Sequence, residues 1–193
     1  MTHDLAVWSI ATARPRSEGR RAVPSLIRTA MARSGLIGAP AHVRRAASGR
    51  WVVAESGGGV ADLSISTACA EGIAICAIAH GMVGVDVESI DIIDATSATC
   101  MARTYFAARE LAWILDGPDA LSPQDRFFFL WTLKEAFAKA LGTGIGEVLA
   151  STAFDIRTNG TVAVSTSLAP YRRWAFGTFV PVCGCRAAVA ISL

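Results

Sequence analysis

The hydrophobic positions of this chain follow two alternating patterns. Between residues 127 and 142, Leu130, Leu133, Phe137 and Leu141 recur at helical spacing and mark a core face. Ser122-Pro123 opens that helix, with Ser122 as N-cap and Pro123 in the first turn, and Gly142 to Gly146 ends it. Trp131, Glu135 and Lys139 stand four apart and line up on nearly the opposite face. Further upstream the period is two. In Val83-Gly84-Val85-Asp86-Val87-Glu88 the valines share one face of a strand, and Gly84, Asp86 and Glu88 share the other. A helix with core on one side and an aromatic, a carboxylate and an ammonium on the other is suited to flooring a cleft.

The remaining elements are read from the same signals. Leu5 to Ala11 predicts a first strand. Pro24 suits the first turn of a helix that carries Leu26, Ile27, Ala30 and Met31 on one face and stops at Gly35. His42 to Ala46 and Arg50 to Ala54 predict strands joined by Ser48-Gly49, and Gly57-Gly58-Gly59 a loop. Val60 to Ser66 and Gly72 to Ala79 predict further strands. Helical segments follow at Ser97 to Tyr105 and Ala107 to Leu115, broken by Gly117-Pro118. Phe154 to Arg157 and Thr161 to Ser165 flank Thr158-Asn159-Gly160, a hairpin signal, and Arg172 to Phe179 and Cys185 to Ser192 close the sheet. One helix on a small sheet, then an acidic strand, helices and more strands, predicts an α+β protein.

Composition narrows the function. With 193 residues, 52% of them hydrophobic and 18% charged, the chain can bury a sizeable core as one domain or two small ones, and disorder is not expected. A formal charge of +2 is too small to argue for nucleic acid. Basic residues do cluster early, at Arg14, Arg16, Arg20 and Arg21 and at Arg44, Arg45 and Arg50, either as solvated surface or as an anion site. The most apolar stretch, Gly72 to Val85, falls short of the roughly 18–20 residues of a membrane span and reads as two paired strands. Met1-Thr2-His3-Asp4 lacks the basic-then-apolar order of a signal peptide. Five cysteines without a C-x-x-C pair indicate neither a disulfide framework nor a zinc site, so a reduced, cytoplasmic setting is expected, with Cys76 and Cys100 as small buried hydrophobes.

Asp86 and Glu88 repel each other on one strand face unless solvent or a cation intervenes. With Glu135 they would offer three oxygen-donor side chains, a set suited to Mg²⁺. Each piece also has an ordinary reading. An i,i+4 Glu–Lys pair such as Glu135 and Lys139 is usually a surface contact of about 0.3–0.5 kcal/mol, and an Asp-x-Glu face is usually the wet side of a sheet.

Taken together, Gly84-Val85-Asp86-Val87-Glu88 and Trp131-Thr132-Leu133-Lys134-Glu135-Ala136-Phe137-Ala138-Lys139-Ala140-Leu141-Gly142 resemble the signature of the 4′-phosphopantetheinyl transferases, G-[IV]-D-[IV]-E followed by W-[STC]-x-K-E-[AS]-x-x-K-x-x-G. Every fixed position matches. The resemblance is strong from about Ser64 to Gly142, and outside it is a pattern of strands and helices. Length and segment order look like the larger Sfp-like type. That implies a pseudo-dimeric fold of two similar halves, 1–81 on the coenzyme A nucleotide side and 82–193 carrying the metal and catalytic motifs, and therefore a monomer. It also implies transfer of phosphopantetheine from coenzyme A to a serine of an apo acyl or peptidyl carrier protein, releasing adenosine 3′,5′-bisphosphate.

By the same resemblance, Asp86, Glu88 and Glu135 hold Mg²⁺ and Lys139 contacts the phosphates, while Lys134 sits either on phosphate or in an ion pair. Glu110, in Phe106-Ala107-Ala108-Arg109-Glu110, resembles the F-x-x-x-E element and is the candidate general base. A metal-bound water could take its place, and the bland reading is a helical Glu beside Arg109. Trp131 is expected to shape the cleft wall. Coenzyme A would meet Arg21 of the first helix, Arg50, Ser66 and Thr67. Two of the departures from the family bear on charge and shape here: Trp51 stands where it has proline, and Thr67 where it has histidine. Thr67 can donate a hydrogen bond but brings no positive charge. Altered coenzyme A binding is expected, and a second reading arises, a noncatalytic module that binds coenzyme A or carrier protein. Ile90, Ile92 and Ile93 either pack in the core or help to dock the carrier, whose acidic surface would suit Arg103 and Arg109.

Overall fold

The structure, a computed structural model, describes residues 5–12, 15–35, 41–46, 51–55, 60–118, 120–157 and 160–193. Strands β1 (Leu5–Ala11), β2 (Ala41–Arg45), β3 (Trp51–Glu55), β4 (Val60–Ala70) and β5 (Ile73–His80) form an antiparallel sheet in the order β1-β5-β4-β3-β2. Helix α1 (Arg16–Ser34) packs on it. A second antiparallel sheet has the order β6-β10-β9, with β6 at Val83–Ser89, β9 at Trp174–Phe179 and β10 at Cys185–Ser192. Between β6 and β9 run α2 (Ala95–Tyr105), α3 (Ala108–Asp116), α4 (Pro123–Leu141), α5 (Ile145–Ser151) and the antiparallel pair β7 (Thr152–Ile156) and β8 (Val162–Thr166). The protein is α+β, as expected.

Alternation along the strands builds the layers. Ala74, Cys76 and Ile78 of β5 point to α1, where they meet Val23, Leu26, Ile27 and Ala30. Ile73, Ile75, Ala77 and Ala79 point the other way and share one core with Val83, Val85, Val87, Ala187, Val189 and Ile191 of the second sheet. The opposite face of that sheet, through Ala188 and Ala190, joins the core of α2, α3 and α4. The order is therefore helix, sheet, sheet, helices. Because β5 is buried on both faces, its sequence is a continuous apolar run rather than an alternation. That run does not form paired strands with β6. β5 pairs with β1 and β4, β6 pairs with β10, and Gly81, at φ 81°, turns the chain from one sheet into the other.

Several other expectations are corrected. α1 starts well before Pro24, which lies inside the helix. Burial of the Val23–Ala30 face against the sheet outweighs the hydrogen bond that proline forfeits. α5 lies where the sequence reading had the chain simply ending a helix, and Val148 anchors it. Cys76 is buried, and burial pushes its thiol up to about 12, but Cys100 is exposed on α2. The Ser48-Gly49 turn, Arg50, the triple glycine and Thr158-Asn159 lie outside the described residues. Among the described residues, no helix is long and apolar enough to cross a membrane.

α4 is capped as its sequence requires. The Ser122 hydroxyl accepts from the Asp125 amide at 3.0 Å, and Gly142 closes the helix in the left-handed region at φ 78°. The helix is less two-faced than its period suggests, since Thr132, Lys134 and Ala138 are buried along with Leu130, Leu133 and Phe137. It is enclosed by β6 and β10 on one side and by α2, α3 and α5 on the other. Gly84 makes this approach possible. A Cβ there would collide with the backbone of Ala136 and of Ala140. The register puts Ala190 opposite Gly84 and Ala188 opposite Asp86, so the sheet surface under α4 is lined with small residues. Gly84→Ala must separate helix and strand and is expected to cost about 3 kcal/mol or more. Gly146→Ala, in a helix with open space around it, should cost nothing. Denaturant midpoints of the two variants check this, and equal midpoints would refute the tight seam.

Candidate active site at the α4–β6 seam

β6 is an edge strand, and side chains cover its free edge. The Val85 amide donates to Ser66 Oγ at 3.0 Å, and the Val85 carbonyl accepts from Lys139 Nζ at 3.1 Å. Lys139 also donates to Asp86 Oδ1 at 2.7 Å. Asp86 is 2% exposed, because α4 roofs the strand face that the alternation pattern alone would leave wet. Its second oxygen, Oδ2, is buried with no hydrogen-bond partner. Ser66 thus ties β4 to β6 rather than lining an open pocket.

Glu88, two residues along, lies 3.6 Å from the Arg16 guanidinium. Burial first, and then the neighbouring Asp86, push its carboxyl up to about 7, with a further push from Glu135. Glu135 is raised by burial and by Asp86, and has no hydrogen-bond or ion-pair partner among the described residues. The three carboxylates therefore feel one another. Among the described residues, no three acidic, His or Cys side chains are drawn together as a metal cluster. Instead, side-chain cations stand at Asp86 and Glu88. An orphaned buried carboxylate oxygen beside two carboxyls held toward their neutral forms is nevertheless a donor set that fits a hard divalent cation.

Next to this seam opens a cleft of about 530 Å³ lined by Arg16, Arg20, Arg45, Trp51, Thr67 and Lys139 among others. It concentrates positive charge from α1, β2 and α4 around one aromatic ring. The Arg45 guanidinium lies 4.9 Å from the centre of the Trp51 ring, its direct cross-strand partner. Thr67 also lines this cleft. Arg21 does not line it; its side chain is 78% exposed and pairs with Glu18 at 2.9 Å. The cleft instead takes Arg16 and Arg20, one helical turn apart on the face that carries the buried Val23. That i,i+4 spacing was the missed signal.

Glu110 and Lys134 lie in a different place. Lys134 Nζ sits 3.0 Å from Glu110 Oε1 with both side chains fully buried, and it also donates to the Thr152 carbonyl at 2.8 Å. Glu110 Oε1 accepts from the Phe154 amide and Oε2 from the Ala107 amide at the start of α3. Burial drives the Lys134 ammonium below the usual lysine range, and Glu110 opposes that drive. Phe106 and Phe154 flank the ammonium. This is a structural ion pair joining α3, α4 and β7. It sets Lys134 in an ion pair and engages both Glu110 oxygens in hydrogen bonds. Trp131 stacks on Phe106 and Phe127 on that same side and does not wall the basic cleft. After β6, Gln124 Nε2 donates to the carbonyls of Ile90 and Ile93, whose side chains pack on the core, while Ile92 remains exposed.

A family model described as the 4′-phosphopantetheinyl transferase superfamily matches residues 82–190, which hold the acidic strand and the motif helix. The chain belongs to that superfamily. Its likeness to the 4′-phosphopantetheinyl transferase HetI of Nostoc sp. strain PCC 7120 runs over 219 aligned residues at 24% identity, covering 100% of this chain and 89% of that protein. Shorter matches reach gsp of Aneurinibacillus migulanus, at 38% identity over 37% of this chain and 28% of that one, and psf-1 of Bacillus pumilus, at 39% over 39% and 30%. Both are named 4′-phosphopantetheinyl transferases. A transferase family, a basic cleft and an acidic seam thus meet at Lys139.

Two outcomes follow from this geometry. Glu110→Gln leaves Lys134 buried without its counter-charge and is expected to cost roughly 3–5 kcal/mol, much of it recovered by Glu110→Met with Lys134→Met. Chemical denaturation checks this, and an inactive Glu110→Gln of unaltered stability would return Glu110 to the chemistry. The raised Glu88 carboxyl means that the folded state holds a proton more tightly than the unfolded chain. In metal-free buffer its contribution to stability is present below about pH 4.5 and is lost as the pH rises through about 7. Glu88→Gln should remove that fall, so melting curves of wild type and variant must diverge between these limits. Parallel curves would sink the assignment.

Proposed function

We propose that this chain transfers the 4′-phosphopantetheine arm of coenzyme A to a serine hydroxyl of an apo acyl or peptidyl carrier protein, with Mg²⁺ as cofactor and adenosine 3′,5′-bisphosphate as the second product. The observation that carries this reading is the junction at Lys139, which lines a cleft rich in arginine and donates to Asp86, one of three interacting carboxylates. In the reaction the serine oxygen bonds to the pantetheine-side phosphorus, and the bond from that phosphorus to the bridging oxygen breaks. Arg16, Arg20 and Arg45 would neutralise the phosphates of coenzyme A, with Trp51 offering a face to its adenine and Thr67 a hydrogen bond. Lys139 would face the diphosphate from the seam. Asp86, Glu88 and Glu135 would hold the metal, which when bound neutralises the diphosphate and stabilises charge on the departing oxygen. Glu135 would take the serine proton on a carboxylate oxygen not given to the metal.

The noncatalytic reading rests on the charge missing at Thr67. Three arginines around the same cleft supply such charge, which favours the enzyme. The names of HetI, gsp and psf-1 support it as well. We read residues 1–81 and 82–193 as two related halves of a cytoplasmic monomer, the first supplying most of the basic cleft and the second the acidic seam.

The test is the intact mass of a panel of apo carrier proteins after incubation with the protein, coenzyme A and Mg²⁺, with and without chelator. One phosphopantetheine arm on the carrier serine is expected, sensitive to chelator and absent with Glu135→Gln or Asp86→Asn. No gain with any carrier from a folded sample would favour the binding module, and wild-type turnover by either variant would overturn the metal assignment.

A further inference from the structure

Two side-chain cations already stand where a metal ion would be wanted, and they are held differently. Lys139 Nζ is fixed by two short contacts, to Asp86 Oδ1 at 2.7 Å and to the Val85 carbonyl at 3.1 Å. Arg16 approaches Glu88 Oε1 at 3.6 Å, beyond hydrogen-bond distance, and its Nε is buried with no partner. The Arg16 side chain is therefore drawn to Glu88 by charge but not locked to it, and its buried Nε–H is unused among the described residues. Its position is also particular. Arg16 lines the basic cleft and also a smaller pocket of about 160 Å³ bounded by Glu71, Glu88, Ser89 and Asp91. It stands in the wall between a space that attracts anions and one that attracts cations.

We propose that Arg16 is a positioning residue that couples anion binding in the cleft to cation binding at the carboxylates: in the empty protein its guanidinium competes with a divalent cation for Glu88, and a diphosphate in the cleft draws it away. This rests on the metal reading given above. A guanidinium binds phosphate oxygens in short, charge-assisted, bidentate contacts, so a loose contact at 3.6 Å is readily exchanged for a better one. By linkage the effect is reciprocal. Whatever factor the diphosphate gains for the cation, the cation gains for the diphosphate. Arg20 lines the same cleft without contacting a carboxylate of the seam, so it supplies the same charge without the competition.

The experiment is a titration of wild type, Arg16→Gln and Arg20→Gln with Mn²⁺, followed by electron paramagnetic resonance of the free ion, with and without saturating coenzyme A. Association of Mn²⁺ with coenzyme A in solution is common to the three proteins and cancels between them. Without coenzyme A, Arg16→Gln should bind Mn²⁺ at least about fivefold more tightly than Arg20→Gln, the lower end of ordinary coupling between sites. Adding coenzyme A should then tighten Mn²⁺ less in Arg16→Gln than in wild type. Arg16→Lys, which keeps the charge and loses the fork, should likewise show reduced coupling, and it serves if the glutamine variant does not fold. Equal Mn²⁺ affinities for the two glutamine variants, or unchanged coupling, would overturn the inference while leaving the metal reading intact. A wild type that binds no Mn²⁺ in either condition would overturn both.

Discussion

At Gly84 the backbone of β6 touches the backbone of α4, and the chemistry of the site is arranged around that contact. A helix resting on a strand through ordinary side chains would hold its own polar groups well above the sheet. Here the missing Cβ, together with Ala188 and Ala190 on the neighbouring strand, lowers α4 onto the sheet. Lys139 then reaches both a main-chain carbonyl of β6 and the carboxylate beside it. The same closeness dries Asp86 and sets its charge against Glu88 and Glu135. Packing and electrostatics are thus one design decision, made at a residue with no side chain.

The motif helix divides its two lysines between two tasks. Lys134 and Lys139 are five residues apart, so they leave the helix in well-separated directions. Lys134 goes into an aromatic interior and needs Glu110 to be tolerable there. Lys139 goes to the rim of a basic cleft. A buried charge pair of this kind contributes little net stability over a hydrophobic one, but losing half of it is costly. It therefore serves to fix how α3 and β7 meet α4.

Much of this was legible in the chain. The strands after residue 60 and the caps of α4 at Ser122 and Gly142 follow from period and from local backbone rules, while the pairing of an acidic strand with a helix bearing Glu135 and Lys139 follows from the family resemblance. What was not legible is what another element covers. Period two said that Asp86 faces away from the valines, but not that a helix would seal that face. Glu110 is a plain helical glutamate in sequence, and its burial depends on Lys134, Phe154 and Ala107 arriving from three other places. The family resemblance points to Arg21 as the basic residue of the first helix. With the helix beginning at Arg16, the turn from Arg16 to Arg20 faces the cleft and Arg21 turns to solvent.

The hydroxyl of Ser66 carries one further implication. It ties β4, which contributes Thr67 to the basic cleft, to β6, which contributes Asp86, and behind that tie the two sheets share one continuous core. Two bodies joined in this way have no hinge between them. Rotating the basic cleft against the acidic seam would break that hydrogen bond and open that core. The two sheets answer to each other: a change that repositions the basic cleft repositions the acids with it.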